Sequence, residues 1–549
     1  MMPGFSLRVH HNRVESEIYF SEQYDNIHFK TEHFEFALEG LILNKKKLLQ
    51  EFAVRDFKNF IAERFHFRGI QFIDELEGEF RGFIHDFRNN KMYAFTNPTA
   101  TQRVFYTKNE SGIFVDSSLV RLNKTVKTFG ISTKPDMESV YQLLALGNML
   151  EDQCIVENFK KIPDASYLEI NGDKSFFSVK TYFFYENTEA FKNSKEEAIK
   201  QVHEVFKNSV ALEYEKDLEL GSKHLSLLSG GLDSRVAMMY AVKIDKNPDN
   251  VLCFSQSGYF DETISRKISE DFDLHYEFVP LDGGNFLKKI DQLTKISEGA
   301  SLYTGGIHVQ HALDELKYEN FKIFHSGQIG DGILGGFNSA PQKNKPSVYK
   351  IVSRPQFQSK IQENLNSVFK KYESEEIFLL KNLAFNRTVL GAQVFQQKAY
   401  QTSPFMTKDF MKLAISLPEK WKFKQKFYIE WISKYCKEAT KYTWERTLMK
   451  PNANWKTTFG DLFVKKSFIF LNDKILKSPQ NSSMYPYQYY YDSSKEIQDY
   501  YQDYFNENFE RISDYPELSN DVKTLFQSDK FTDKSLAVNV LSIFKLFFD

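Results

Sequence analysis

An α+β amino-terminal part followed by an α/β part built on a parallel sheet, ending in a helical carboxyl-terminal part, is the fold class that the sequence predicts. Three observations carry it. Up to about residue 185, short apolar runs alternate with polar turns, the pattern of strands joined by hairpins and short loops. From 224 to 325, apolar runs of strand length alternate with helix-length segments, the pattern of βα units in a parallel sheet with a ligand site at the carboxyl ends of its strands. At the start of that alternation stands Leu225-Ser226-Leu227-Leu228-Ser229-Gly230-Gly231-Leu232-Asp233-Ser234-Arg235-Val236-Ala237, a short apolar run, a glycine turn and an apolar helix start.

In order along the chain, 34–43 reads as a strand and 58–65 as a helix. Strands follow at 80–87, 91–96 and 112–116, separated by polar turns such as Arg88-Asn89-Asn90. Residues 137–146 have helical spacing, and 166–170 with 176–182 suggest a closing hairpin. Near 186–196 the composition turns polar and a long helix starts at 195, so the chain divides into 1–187 and 188–549. In the second part the strands are 224–228, 251–254, 276–281 and 322–325. The helices are 233–242, 263–271, 286–297 and 307–316, and beyond Gly336 the pattern is mainly helical. Ile497, Tyr500, Tyr501, Tyr504 and Phe505 repeat at i, i+3, i+4, i+7, i+8, one packed helix face.

A chain of 549 residues exceeds one typical domain, and 42% hydrophobic against 26% charged residues places it among globular chains. Lys+Arg of 71 against Asp+Glu of 73 argues against a nucleic-acid binder driven by bulk charge. Cys154, Cys253 and Cys436 have no paired spacing, which fits a reducing compartment and offers no metal site. The first residues lack the apolar core of a signal peptide, and no apolar run reaches the ~18 residues of a membrane span. The expectation is a soluble, cytoplasmic protein with no nucleic-acid or membrane partner, and a homodimer is left open.

The chemistry concentrates at the glycine turn. Gly230 and Gly231 let backbone N–H groups approach a ligand, and Ser229, Leu232 and Ser234 at the helix start add donors that favour a phosphate. Asp233 is the odd member, since a carboxylate beside an anion suits a divalent cation bridging phosphates. The bland alternative is a capping residue in an ordinary strand-to-helix turn. Phe254-Ser255-Gln256-Ser257-Gly258 ends the next strand, where Phe254 and Ser255 could meet an adenine and ribose. Asp261 and Glu262 after it read equally as the first turn of a helix. His325-Ser326-Gly327-Gln328-Ile329-Gly330-Asp331-Gly332 is a second close-approach loop, with Asp331 placed to share Mg²⁺ with Asp233.

Together these motifs resemble the asparagine synthetase family, over nearly the whole chain. Ser229-Gly230-Gly231-Leu232-Asp233-Ser234 is similar to that family's ATP pyrophosphatase loop, and Ser326-Gly327-Gln328-Ile329-Gly330-Asp331 with Gly335-Gly336 to its second loop. Ser403-Pro404-Phe405-Met406, Leu76-Glu77-Gly78-Glu79-Phe80 and Leu143-Leu144-Ala145-Leu146-Gly147 are also similar to family segments, and Lys450 before Pro451 falls where the family's pyrophosphate-contacting lysine lies, with Lys441 and Lys456 as nearby competitors. The resemblance implies an N-terminal-nucleophile-type αββα sandwich ahead of a pyrophosphatase-loop ATPase domain. It implies ATP and Mg²⁺, with Asp233 and Asp331 on the metal, and an AMP-forming carbon–nitrogen ligase. The ATP contacts would be Ser229, Gly230, Gly231, Leu232, Asp233, Ser234, Phe254, Ser255, Ser326 and Gly327, with Lys450 and Gln328 at the reacting groups. Its substrates would be a small-molecule, sugar or peptide carboxylate and ammonia or an amine. β-Lactam synthetases share the pattern.

The departures matter as much. The family's glutaminase needs cysteine as first mature residue; Met2 follows the initiator here, and no cysteine precedes Cys154. The oxyanion Asn-Gly pair matches Glu39-Gly40, and a carboxylate there would repel an oxyanion. The amino-terminal part therefore reads as a degenerate glutamine amidotransferase-like domain. Gln328 replaces the family's glutamate and cannot act as a base. Two other classes stay open: a sulfur-transfer or tRNA-modifying enzyme with the same loop, and a non-catalytic nucleotide-binding regulator.

Overall fold

The structure is a computed structural model, and it describes residues 3–10, 13–20, 23–173, 176–476 and 478–549. Met2, on which the missing-nucleophile argument turns, lies outside the described residues. The amino-terminal part is two antiparallel sheets face to face. The five-stranded sheet runs in the order Arg13–Ile18, Phe5–His10, Gly112–Asp116, Phe105–Asn109, Phe159–Lys161. The six-stranded sheet runs Phe177–Thr181, Ser166–Asn171, Lys91–Thr96, Gly78–Asp86, Phe34–Ile42, Ile27–Lys30.

Strand alternation builds the layers. Ile113 and Val115 face the other sheet with Leu7, Val9, Ala37 and Leu168. Phe114, between them in sequence, turns outward onto the helices Leu119–Thr128 and Met137–Leu146. On the opposite side Phe36 and Leu38 pack under Phe60 and Ile61 of the helix Phe57–Arg68. The result is the αββα sandwich that the resemblance implies. Its outer helix layer merges with the core of the second part, for Leu143, Tyr185, Val202 and Leu541 belong to one continuous cluster.

After the helix Lys195–Glu219, five parallel strands form the second sheet in the order Tyr276–Pro280, Asn250–Ser255, Lys223–Leu227, Phe321–His325, Tyr400–Thr402. Four of these are expected from the sequence within two residues at each end. Tyr400–Thr402 is not: three residues, two of them polar, hold the edge by pairing with Phe321–His325 and by packing Tyr400 among Leu41, Leu43 and Ile323. Strand order reverses at Lys223–Leu227, so the loops leaving its end and that of Phe321–His325 lie side by side at the switch point. Helices cover the rest. Ile497, Tyr501, Tyr504 and Phe505 are buried as the stripe predicts, and Tyr501 hydroxyl meets Tyr303 hydroxyl in the core. Among the described residues no helix is long and apolar enough to cross a membrane.

Candidate functional site

The two loops are in contact. Gly327 fits against the backbone of Asp233 and Ser234; a Cβ on it would sit 2.2 Å from the Asp233 carbonyl carbon. The Asp331 backbone N–H donates to Asp233 Oδ2 at 2.7 Å, and the buried Tyr428 hydroxyl donates to Oδ1 at 2.9 Å. Ile329 takes φ 62°, an uncommon conformation for a β-branched residue, and so folds the second loop back over the first. Around this contact opens a cavity of about 700 Å³.

Ser229, Gly231, Leu232, Asp233, Ser234, Phe254, Ser326, Gly327, Gln328 and Asp331 line the cavity, so most of the residues singled out in the sequence come together. Three do not line it. The Gly230 backbone lies behind the loop, its N–H donating to Asp261 Oδ1 and its carbonyl accepting from Arg235 and Glu445. Ser255 is buried under the strand end, its hydroxyl donating to the Gln256 carbonyl. Lys450 is exposed and outside the wall. The chain makes a tight hairpin in which Trp444 bridges Met449 and Leu448 takes φ 55°, which leaves Arg446 facing the cavity and carries Lys450 past it.

The cations that line the cavity are Arg446 and Lys465. Arg446 is held by Gln425 Oε1 at 2.7 Å and by Asp461. Lys465 Nζ sits 2.7 Å from Glu445 Oε1 and 3.1 Å from the Tyr259 hydroxyl. Arg235 is fully buried beneath, donating to the carbonyls of Gly230, Ala439, Tyr442 and Thr443 and tying the first loop to the 439–443 segment.

Residues 201–389 match the sequence model of the asparagine synthase family. That segment is an asparagine synthase domain. No curated protein matches the chain. Among solved structures, an allosteric regulatory enzyme of purine biosynthesis aligns at 9% identity over 50% of this chain and 74% of its own, with TM-score 0.23. A glutamine phosphoribosylpyrophosphate amidotransferase from B. subtilis aligns at 10% identity over 60% and 70%, also with TM-score 0.23. At those scores neither bears on the function of this chain.

Around the cavity, burial disfavours the charged form of the acidic groups. Burial, followed by the neighbouring Asp331, holds the Asp233 carboxyl well above its usual range, and burial raises Asp331 as well. Burial and then Glu445 lift Asp261, in the first turn of the helix Phe260–Asp271, to about 7. Asp261 is a first-turn residue of that helix, and it also lines the cavity. Hard oxygen donors on two touching loops, each with its anionic form disfavoured, fit a divalent cation such as Mg²⁺. Gln328 donates from Nε2 to the Thr388 carbonyl at 3.3 Å, across the cavity mouth. Sequence reasoning missed Lys465, Glu445 and His308 as wall residues. Arg446 was visible only as a member of the stretch around Lys450.

Proposed function

We propose that this protein is an ATP-dependent, AMP-forming amide ligase that adenylates a carboxylate and passes the acyl group to ammonia or an amine. One observation carries the proposal: the 2.7 Å bond from Asp331 N–H to Asp233 Oδ2, which joins two loops that each bring a carboxylate to one phosphate-sized turn. Asp233 and Asp331 would hold Mg²⁺, which when bound would neutralise charge on the phosphates. Backbone N–H groups and hydroxyls at Ser229–Ser234 would orient the phosphates at the helix start. Arg446 and Lys465 face the space where pyrophosphate would leave, so they would gain most as charge builds there. The substrate carboxylate oxygen bonds to the α-phosphorus as the bond to the β-phosphate bridging oxygen breaks. The amine then bonds to the acyl carbon as AMP leaves, and the amine proton goes to solvent or phosphate because Gln328 has no basic site.

The amino-terminal part would have no glutaminase activity. Arg81 Nε donates to Glu39 Oε2 at 2.8 Å, and the Gly40 N–H donates to Asn26 Oδ1 at 2.7 Å, so both groups of the oxyanion pair are engaged. Pyrophosphate exchange across a panel of carboxylates, with ammonium or amines as second substrate, tests the reading. Exchange with one acid class and no glutamate release from glutamine is the expected outcome. No exchange with any acid, or glutamine-dependent synthesis, would refute it.

A further inference from the structure

Residues 454–475 form one helical run, Asn454–Phe459, Gly460–Val464, Lys465–Phe470 and Leu471–Ile475, with two π-turns inside it. Its two sides are reversed from those of an ordinary surface helix. The side against the protein is mostly small or polar, with Phe468 its one aromatic contact among the described residues. Thr457 and Gly460 are buried, and a Cβ on Gly460 would meet Thr447 at 2.6 Å. Lys465 reaches Glu445, and Phe468 makes one ring contact with Phe260. The side away from the protein carries Trp455, Phe459, Leu462, Phe463 and Phe470, at i, i+4, i+7, i+8 and i+15, and all five are exposed. Among the described residues, eight of the sixteen exposed large hydrophobic side chains fall between 455 and 476. Scattered exposed hydrophobics need no explanation; a contiguous patch marks a contact surface.

Charge identifies the kind of contact. Residues 450–477 hold six lysines and two aspartates in a chain whose total is 71 basic against 73 acidic residues. Lys466 and Lys474 stand exposed beside the apolar rings. A second copy of this face would bring like charge to like charge. Aromatic and branched apolar side chains outward with interleaved lysines is the composition of a helix that lies in the headgroup region of an anionic bilayer.

We propose that this helix docks the protein on an anionic lipid surface, with the cavity mouth beside it. No spanning segment is required: the contact is peripheral and reversible. Lys465 of the same run lines the cavity, so docking brings the site within about a helix diameter, ~10 Å, of the headgroups. A carboxylate or amine borne on a lipid anchor then reaches it without leaving the membrane. That corollary rests on the ligase reading; the docking itself does not.

Sedimentation of the full chain with vesicles tests it, using phosphatidylcholine alone and phosphatidylcholine mixed with phosphatidylglycerol. Wild type should bind the mixed vesicles, bind less in high salt, and show a blue shift of tryptophan emission that Trp455→Phe removes. The pairs Phe459→Ser with Phe463→Ser, and Lys466→Glu with Lys474→Glu, should each weaken binding at least about tenfold. Both pairs are solvent-facing, so circular dichroism and melting should match wild type. Absence of binding to either vesicle, or binding that neither pair weakens, overturns the proposal. So does a wild-type dimer that the Phe pair converts to monomer, which would assign the face to self-association. Loss of a lysate protein on the Phe pair without any vesicle binding would assign it to a protein partner.

Discussion

Gly327→Ala is the sharpest probe of the loop contact. The added methyl would lie 2.2 Å from the Asp233 carbonyl carbon and 2.3 Å from the Ser234 nitrogen, both backbone atoms that cannot swing away. Ordinary contact begins near 3.5 Å, so the loops must part by about 1.3 Å. That displacement stretches the 2.7 Å bond between Asp331 N–H and Asp233 past hydrogen-bond range. Overpacking costs about 1–3 kcal/mol and loss of a hydrogen bond to an uncharged carboxyl about 0.5–1.5 kcal/mol. A misplacement of about 1 Å at a reacting site costs on the order of a hundredfold in rate. The expected outcome is a lowered melting temperature and pyrophosphate exchange down by about two orders of magnitude. Gly391→Ala is the control: it lines the same cavity, yet its Cβ would meet only the flexible tip of Gln328 at 3.3 Å. If Gly327→Ala melted and turned over like wild type, the two loops could not be in contact.

Three further outcomes follow from the site and the core. Lys465→Ala should lower exchange about a hundredfold while Lys450→Ala changes little, since the first faces the cavity and the second faces solvent; the reverse ranking by steady-state kinetics returns the role to Lys450. Asp233→Asn and Asp331→Asn should each abolish exchange while circular dichroism stays that of the folded protein; wild-type exchange in either removes the metal assignment. The third outcome concerns pH. Burial alone would lower His325, but Asp217 at 2.6 Å and Glu213 at 3.5 Å outweigh it and raise the imidazole to about 9. A raised folded-state pKa gives stability that is complete below the unfolded value of about 6.5 and lost as pH climbs through 9, about 3 kcal/mol in all. Glu79, lifted to about 8 chiefly by burial, adds a loss of the same sign as it deprotonates. Denaturant midpoints from pH 6 to 10 should therefore fall, and His325→Gln should flatten the fall above 6.5; an unchanged slope assigns the loss to other groups.

Local pattern was enough where a segment carries its own signal. The helix Met137–Leu146 and the strands Lys91–Thr96 and Gly112–Asp116 were legible to the residue, because each is an unbroken apolar or alternating run between polar turns. The loops at Ser229 and Ser326 were legible because glycines and an aspartate in fixed order have few other uses. The strand Phe5–His10 was missed; it pairs locally with Arg13–Ile18, a run of alternating charged residues with little strand signal, and on its other side with Gly112–Asp116, more than a hundred residues away. Lys465 was missed because nothing near it separates it from Lys456 or Lys466. Its partner Glu445 arrives from a different turn of chain. Lys450 was favoured by its place before Pro451, and the hairpin at Trp444–Met449 that turns it outward depends on a positive φ at Leu448, which no local glycine or asparagine announces.

Arg235 sets a clock on synthesis. Its guanidinium closes on carbonyls at 439, 442 and 443, about two hundred residues further along. At 5–20 residues per second the ribosome needs roughly 10–40 s to deliver that segment after Arg235 emerges. Until then a cation bound for a fully buried position has no place to go, and the carbonyl of Gly230 lacks its second donor, the Glu445 N–H. The 201–389 segment can lay down its strands early, yet its phosphate turn waits for chain that lies outside it. A fragment ending at 389 would carry the recognisable motif and leave Arg235 exposed, a state that chaperones would have to cover.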